Sequence, residues 1–202
     1  MSVVLFRNNE RTASYPFQAA SLADAEACMQ RLGPRDAEGY HAAAFDILAN
    51  ITDNLGIGPV QGQTVQVGQS PGWVAQAQII SGVLRYQVVY TFPDWTNVRS
   101  LNTRIQAEWT RYTNALWTHE RGHTQDVTPI LAQYRQQFEQ LRIGGEGRSG
   151  QEAEATARQN LHQQVQEIYN QLTAAVSNHI RDYDRRTNHG RTQGAQLNTR
   201  IN

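Results

Sequence analysis

The stretch Leu116-Trp117-Thr118-His119-Glu120-Arg121-Gly122-His123-Thr124-Gln125-Asp126-Val127 decides the reading of this chain. It sits inside a longer pattern: Ile105, Trp109, Tyr112, Leu116, His119, His123, Val127, Ile130, Tyr134, Phe138 and Leu141 recur three or four residues apart. That is the period of an amphipathic helix, and both histidines fall on its apolar stripe. Pro129 lacks an N–H, so a kink or break is expected near Gln125 or Asp126. A second long helix is expected over about 151–184, with Leu161, Val165, Ile168, Leu172, Val176, Ile180 and Tyr183 facing inward.

His119-Glu120-Arg121-Gly122-His123 is an H-E-x-x-H pattern. Residues four apart on a helix share a face, so two imidazoles there can converge on one zinc ion. The carboxylate after the first histidine projects toward the ion's bound water and can act as general base. Two adjacent imidazoles would be awkward core fillers otherwise, because each leaves ring nitrogens to satisfy. A catalytic zinc takes three protein ligands. The third lies outside the motif, and His162, His179, Asp182, Asp184 and His189, in or just after the last helix, are the candidates. His41 is too weakly placed to rank.

Upstream, residues 1–18 read as an extended lead-in. A helix is expected over about 21–32, capped by Ser21 and Asp24 and stopped by Gly33-Pro34. Residues 40–54 are ambiguous between helix and strand. A short strand is expected over 64–67, then two strands at Trp73–Ile80 and Gly82–Phe92, joined by a hairpin turn at Ser81-Gly82 and ended by Pro93. The glycine-rich 144–150 reads as a loop, and the chain after Arg185 as a polar tail.

Composition bounds the rest. The chain has 202 residues, enough for one sizeable domain. Its net charge of +0 excludes a bulk basic footprint for nucleic acid. The basic C-terminal arginines lack the stacking aromatics of a single-strand binder. No apolar run approaches the roughly 18 residues of a membrane span. The single cysteine, Cys28, excludes an internal disulfide. No signal peptide is visible, so the expectation is a cytoplasmic protein, one delivered by a non-classical route, or one whose leader has been removed. All 18 basic residues are arginine. Coding bias explains that simply; avoidance of lysine-directed modification would suit an effector or toxin protease, with a delivery apparatus or immunity partner.

The order Tyr15-Pro16, Leu32-Gly33-Pro34, Thr91-Phe92-Pro93-Asp94-Trp95, the H-E-x-G-H helix and Tyr183-Asp184-Arg185-Arg186-Thr187-Asn188-His189-Gly190-Arg191-Thr192-Gln193-Gly194-Ala195 resembles the bacterial DUF922 family, read as zinc-dependent proteases. The likeness runs over residues 15–195, leaving 196–202 as a tail. It implies zinc ligands at His119 and His123, a general base at Glu120 and a functional role for His189, which becomes the preferred third ligand. The expected fold is α+β: one zincin-like domain over 1–202, a small, mostly antiparallel sheet on long helices, with the motif on the central one. By analogy with zincins, Gly82–Phe92 or Trp73–Ile80 would be an edge strand binding substrate backbone. The expected activity is zinc-dependent hydrolysis of peptide bonds in a protein or peptide substrate, one zinc per chain. Glu120 acts on the zinc-bound water, with Tyr183, or else Arg191, stabilising the oxyanion and Asp126 or Asp184 orienting a ligand histidine. The alternative is a non-catalytic helical interaction module holding a structural metal or none.

Overall fold

Ser21 opens the first helix as the sequence requires. Its Oγ accepts from the Asp24 N–H at 3.1 Å and donates to the Asp24 carboxylate at 2.8 Å. A computed structural model describes residues 3–36, 39–51, 55–58, 60–67 and 70–201. The elements run β1 (Val3–Phe17), α1 (Leu22–Leu32), β2 (Arg35–Asp36), β3 (Gly39–Tyr40), β4 (Ala44–Ile51), β5 (Gly56–Ile57), β6 (Gln61–Val67), β7 (Ser70–Trp95), α2 (Thr103–Gln140), β8 (Arg142–Gly147) and α3 (Gly150–Thr187). The fold is mixed α and β. Six strands form one sheet in which β7 lies between β1 and β4 and also pairs with β5, β6 and β8; β2 and β3 form a separate pair. The pairings of β5, β6 and β8 with β7 are antiparallel. Among the described residues no helix is long and apolar enough to cross a membrane.

The two expected strands at Trp73–Ile80 and Gly82–Phe92 are one strand, β7, of 26 residues. A bulge, not a turn, occupies the middle. Gly56 pairs with Ser81 while Ile57 pairs with Ile79, so Ile80 is the extra residue. One extra residue exchanges the two faces of everything beyond it. The buried positions accordingly run Ala75, Ala77, Ile79 before the bulge and Leu84, Tyr86, Val88, Tyr90, Phe92 after it. β7 is not an edge strand of its sheet. Trp73 pairs with both Thr64 and Gly147, and in the sheet β7 lies between β1 and β4. Pro93 does not end the strand, which continues to Trp95.

The stretch read as a loop at 144–150 is largely strand β8, with α3 beginning at Gly150. Its glycines permit close approach to a helix. A Cβ at Gly145 would stand 2.6 Å from the Ala153 carbonyl oxygen, and one at Gly147 would stand 2.8 Å from the Glu152 backbone. Pro129 lies inside α2 without ending it. Residues 40–54, left ambiguous, contain β4, and the lead-in is β1.

The chain divides into two compact units. One comprises residues 1–7, 49–86 and 128–177. Its core joins Val60, Ala75, Ala77 and Ile79 to Phe138 of α2 and to Ala153, Ala157, Leu161, Val165 and Ile168 of α3. The other comprises residues 8–48, 87–127 and 178–202. There Trp95 stacks on Phe17 and meets the edge of Trp109, with centroids 5.2 Å apart in the second pair. The Trp95 indole N–H donates to Asn97 Oδ1 at 2.8 Å. This second unit contains the whole H-E-x-x-H segment.

A candidate metal centre on two helices

The helical stripe of α2 turns His119, Glu120 and His123 inward, leaving them 5%, 3% and 3% exposed. They are three of the four polar side chains counted as buried among the described residues. Such burial carries a cost unless partners are supplied. The end of α3 supplies them. Asp184 Oδ1 lies 3.1 Å from His119 Nε2 and 3.2 Å from His123 Nε2. The three ligand atoms lie within 4.8 Å of one another.

After Thr187 the chain reverses through three residues with positive φ: Asn188, His189 and Gly190. The Gly190 N–H donates to Thr187 Oγ1 at 3.3 Å. At φ 77, with a would-be Cβ only 2.9 Å from His119 Cγ, position 190 requires glycine. The reversal delivers Gln193 to the back of His119. His119 Nδ1 lies 3.0 Å from Gln193 Oε1, and the Gln193 amide N–H donates to Tyr183 Oη at 2.9 Å. The amide oriented by Tyr183 thus presents its oxygen to His119, so Nδ1 carries the proton and Nε2 the lone pair. A lone pair and a carboxylate oxygen 3.1 Å apart need a proton or a cation between them.

The donor set suits a cation of borderline softness: two imidazole nitrogens and one carboxylate oxygen. Ligands about 2.0–2.1 Å from a tetrahedral zinc lie about 3.3–3.4 Å from one another, close to the two observed separations. Buried His123 Nδ1 has no hydrogen-bond partner among the described residues. Phe45 of β4 instead stacks on the His123 ring, 5.2 Å between centroids and 12° between planes.

The electrostatics follow from this packing. Burial opposes ionisation of Asp184, but hydrogen bonds to both histidines outweigh it and hold the carboxyl well below its usual range. Burial also works against protonating His119, yet its bond to Asp184 and the charge of Glu120 raise its pKa. For His123 burial prevails and the pKa falls. Glu120 is pushed up to about 7, chiefly by burial, with His119 opposing and Asp184 and Asp46 adding to the rise.

The remaining candidates are dispersed. His189 is exposed, and its ring lies 5.6 Å from that of His41 instead of joining the cluster. Asp184, an alternative third ligand in the sequence, is the residue that lies beside both histidines. His179 Nε2 pairs with Asp126 at 2.9 Å, and Asp126 also takes Arg186 at 2.6 Å, so Asp126 does not touch His119 or His123. Asp182 is exposed and paired with Arg185. His162 is exposed on the part of α3 that belongs to the other unit. Arg191 is exposed. Tyr183 is at the centre, with its ring 4.6 Å from that of His123. Sequence reasoning missed Gln193 and Thr187. The only signal for them was their place in the 183–195 segment.

Comparison with curated proteins and with solved structures returns no match. A family model described as a bacterial protein of unknown function, DUF922, matches residues 12–190. That span holds both histidines, Glu120, Asp184 and the turn that follows them, and the chain belongs to the DUF922 family.

Proposed function

We propose that this chain is a metal-dependent peptidase with His119, His123 and Asp184 as ligands and Glu120 as general base. The observation that carries the proposal is one carboxylate oxygen placed 3.1 and 3.2 Å from two buried imidazole nitrogens, with a buried carboxylic acid next in sequence to the first. Zinc held there supplies a Lewis acid for a peptide carbonyl and lowers the pKa of water to about 7. Glu120 takes a proton from the attacking water and passes it to the leaving amine as the C–N bond breaks. Tyr183 Oη accepts from Gln193, which leaves its own O–H to donate to the oxygen that gains charge. Gln193 fixes the tautomer of His119, and Phe45 fixes the ring plane of His123.

Metal analysis beside a peptide-mixture digest tests this reading. Glu120→Gln is expected to keep the metal and lose turnover, and His119→Ala to lose both. Full turnover by Glu120→Gln would remove Glu120 from its role. A stoichiometric metal with no cleavage of any peptide would leave the non-catalytic module.

A further inference from the structure

The chain after α3 is strapped to α2. Leu197 is buried, and the Asn198 N–H donates to Glu108 Oε1 at 2.8 Å. Arg111 donates to the Gly194 and Gln196 carbonyls at 2.7 and 2.6 Å. At Asn198 the chain turns, with the Ile201 N–H donating to the Asn198 carbonyl at 3.4 Å. Arg200 and Ile201 thereby form one wall of a shallow cavity of about 680 Å³. Arg104, Ala107, Glu108 and Arg111 form the other, and their helical spacing puts them on one face of α2. All six residues belong to the second unit.

The charges of this lining do not cancel. Both Glu108 oxygens take Arg111, at 2.6 and 2.8 Å, and Glu108 is only 7% exposed. Arg111 is thus committed to Glu108 and to two carbonyls. Arg104 and Arg200 are exposed, and their side chains enter no ion pair among the described residues. Two uncompensated guanidinium groups therefore border the space, with Ala107 and Ile201 as its apolar part. The whole chain has a net charge of +0, so the positive excess is local to this cavity. A guanidinium forks onto a carboxylate through two parallel N–H donors. A single inorganic anion would leave most of the volume to water and make no use of Ile201. We infer that the cavity anchors an acidic segment of a peptide, with two carboxylates paired to Arg104 and Arg200 and their aliphatic stems laid against Ala107 and Ile201. The inference goes beyond the peptidase reading and stands apart from it, since anchoring needs neither the metal nor Glu120.

Full-length Glu120→Gln protein, chosen so that no peptide is consumed, is titrated into fluorescein-labelled tetraglutamate and tetraglutamine peptides, with fluorescence anisotropy as the readout. Saturable binding of tetraglutamate is expected, with tetraglutamine at least about tenfold weaker. Arg104→Gln and Arg200→Gln are each expected to weaken tetraglutamate binding about fivefold. Arg158→Gln removes an exposed charge from the other unit and is expected to leave binding unchanged. Both cavity arginines are exposed, so circular dichroism of their variants should stay native. The ¹⁵Nε resonances of Arg104 and Arg200 should shift on titration, which locates the peptide without any change to the arginines. No saturable binding, equal binding of tetraglutamine, or unmoved Arg104 and Arg200 resonances overturns the inference. An equal loss in Arg158→Gln shows attraction to charge in general and overturns it too. Inorganic phosphate that displaces tetraglutamate at the peptide's own affinity makes this a small-anion site and overturns the peptide assignment.

Discussion

Gly122 makes room for Tyr183: a Cβ built at position 122 would fall inside the van der Waals surface of the Tyr183 hydroxyl and ring. The fourth position of the H-E-R-G-H run therefore faces the end of α3. Gly122→Ala is expected to destabilise the protein by about 1–3 kcal/mol, as overpacking does. Urea denaturation of Gly122→Ala, Tyr183→Ala and the double variant checks the cause. The cost of the alanine at 122 should shrink when Tyr183 is already truncated.

Asp184 and His189 make opposite predictions as ligands. Asp184→Asn is expected to lower zinc affinity by far more than His189→Ala, because Asp184 Oδ1 faces both Nε2 atoms and His189 faces His41. Competition against a chromophoric chelator measures both. A larger loss in His189→Ala would restore the assignment implied by the family resemblance.

Gln193→Ala removes the acceptor behind His119 and leaves every proposed ligand in place. The expected result is a fall of roughly 10–100-fold in zinc affinity. Circular dichroism should remain unchanged, and Gln193→Glu, which keeps an acceptor oxygen, should recover part of the loss.

The metal-free protein should lose stability as pH rises through neutrality. Glu120 is raised from 4.5 to about 7 and His119 is raised above 6.5. Each contributes stability that is fully present below its unfolded value and lost as pH rises through its folded one. Asp184 acts in the opposite sense: its contribution is present above 3.8 and lost as pH falls toward its depressed folded value. His123, lowered below 6.5, acts in the same sense as Asp184: its contribution is present above 6.5 and lost as pH falls through its folded value. Thermal melts across pH 3–9 should therefore fall toward both ends of the range, and Glu120→Gln should flatten the fall between about 4.5 and 7. An unchanged slope in Glu120→Gln would show that Glu120 is not the group responsible.

The helices were legible from sequence because a 3.6-residue period and a cap residue are local signals. Ser21, Gly33 and the stripe from Ile105 to Phe138 needed no knowledge of what they pack against. The bulge at Ile80 was not legible. A change of phase in the hydrophobic alternation looks the same whether a strand bulges or turns, and Ser81-Gly82 favours a turn on composition. The glycines of β8 were misread for a related reason. Their job is to admit the backbone of α3, and that neighbour is distant in sequence. The two histidines and Glu120 were found because the α2 helix alone brings them together. The choice between Asp184 and His189 depended on how the chain leaves α3. Three consecutive residues with positive φ set that exit, and two of them, Asn188 and His189, are not glycine.

The shared oxygen of Asp184 joins His119 to a residue 65 positions further along the chain. A cation bound at this junction would act as a removable staple, closing a long loop whose entropy would otherwise favour the unfolded chain. Loading would then tie the end of α3 to the middle of α2. Chelation should make the segment after residue 184 more accessible to proteases before the remainder of the chain opens.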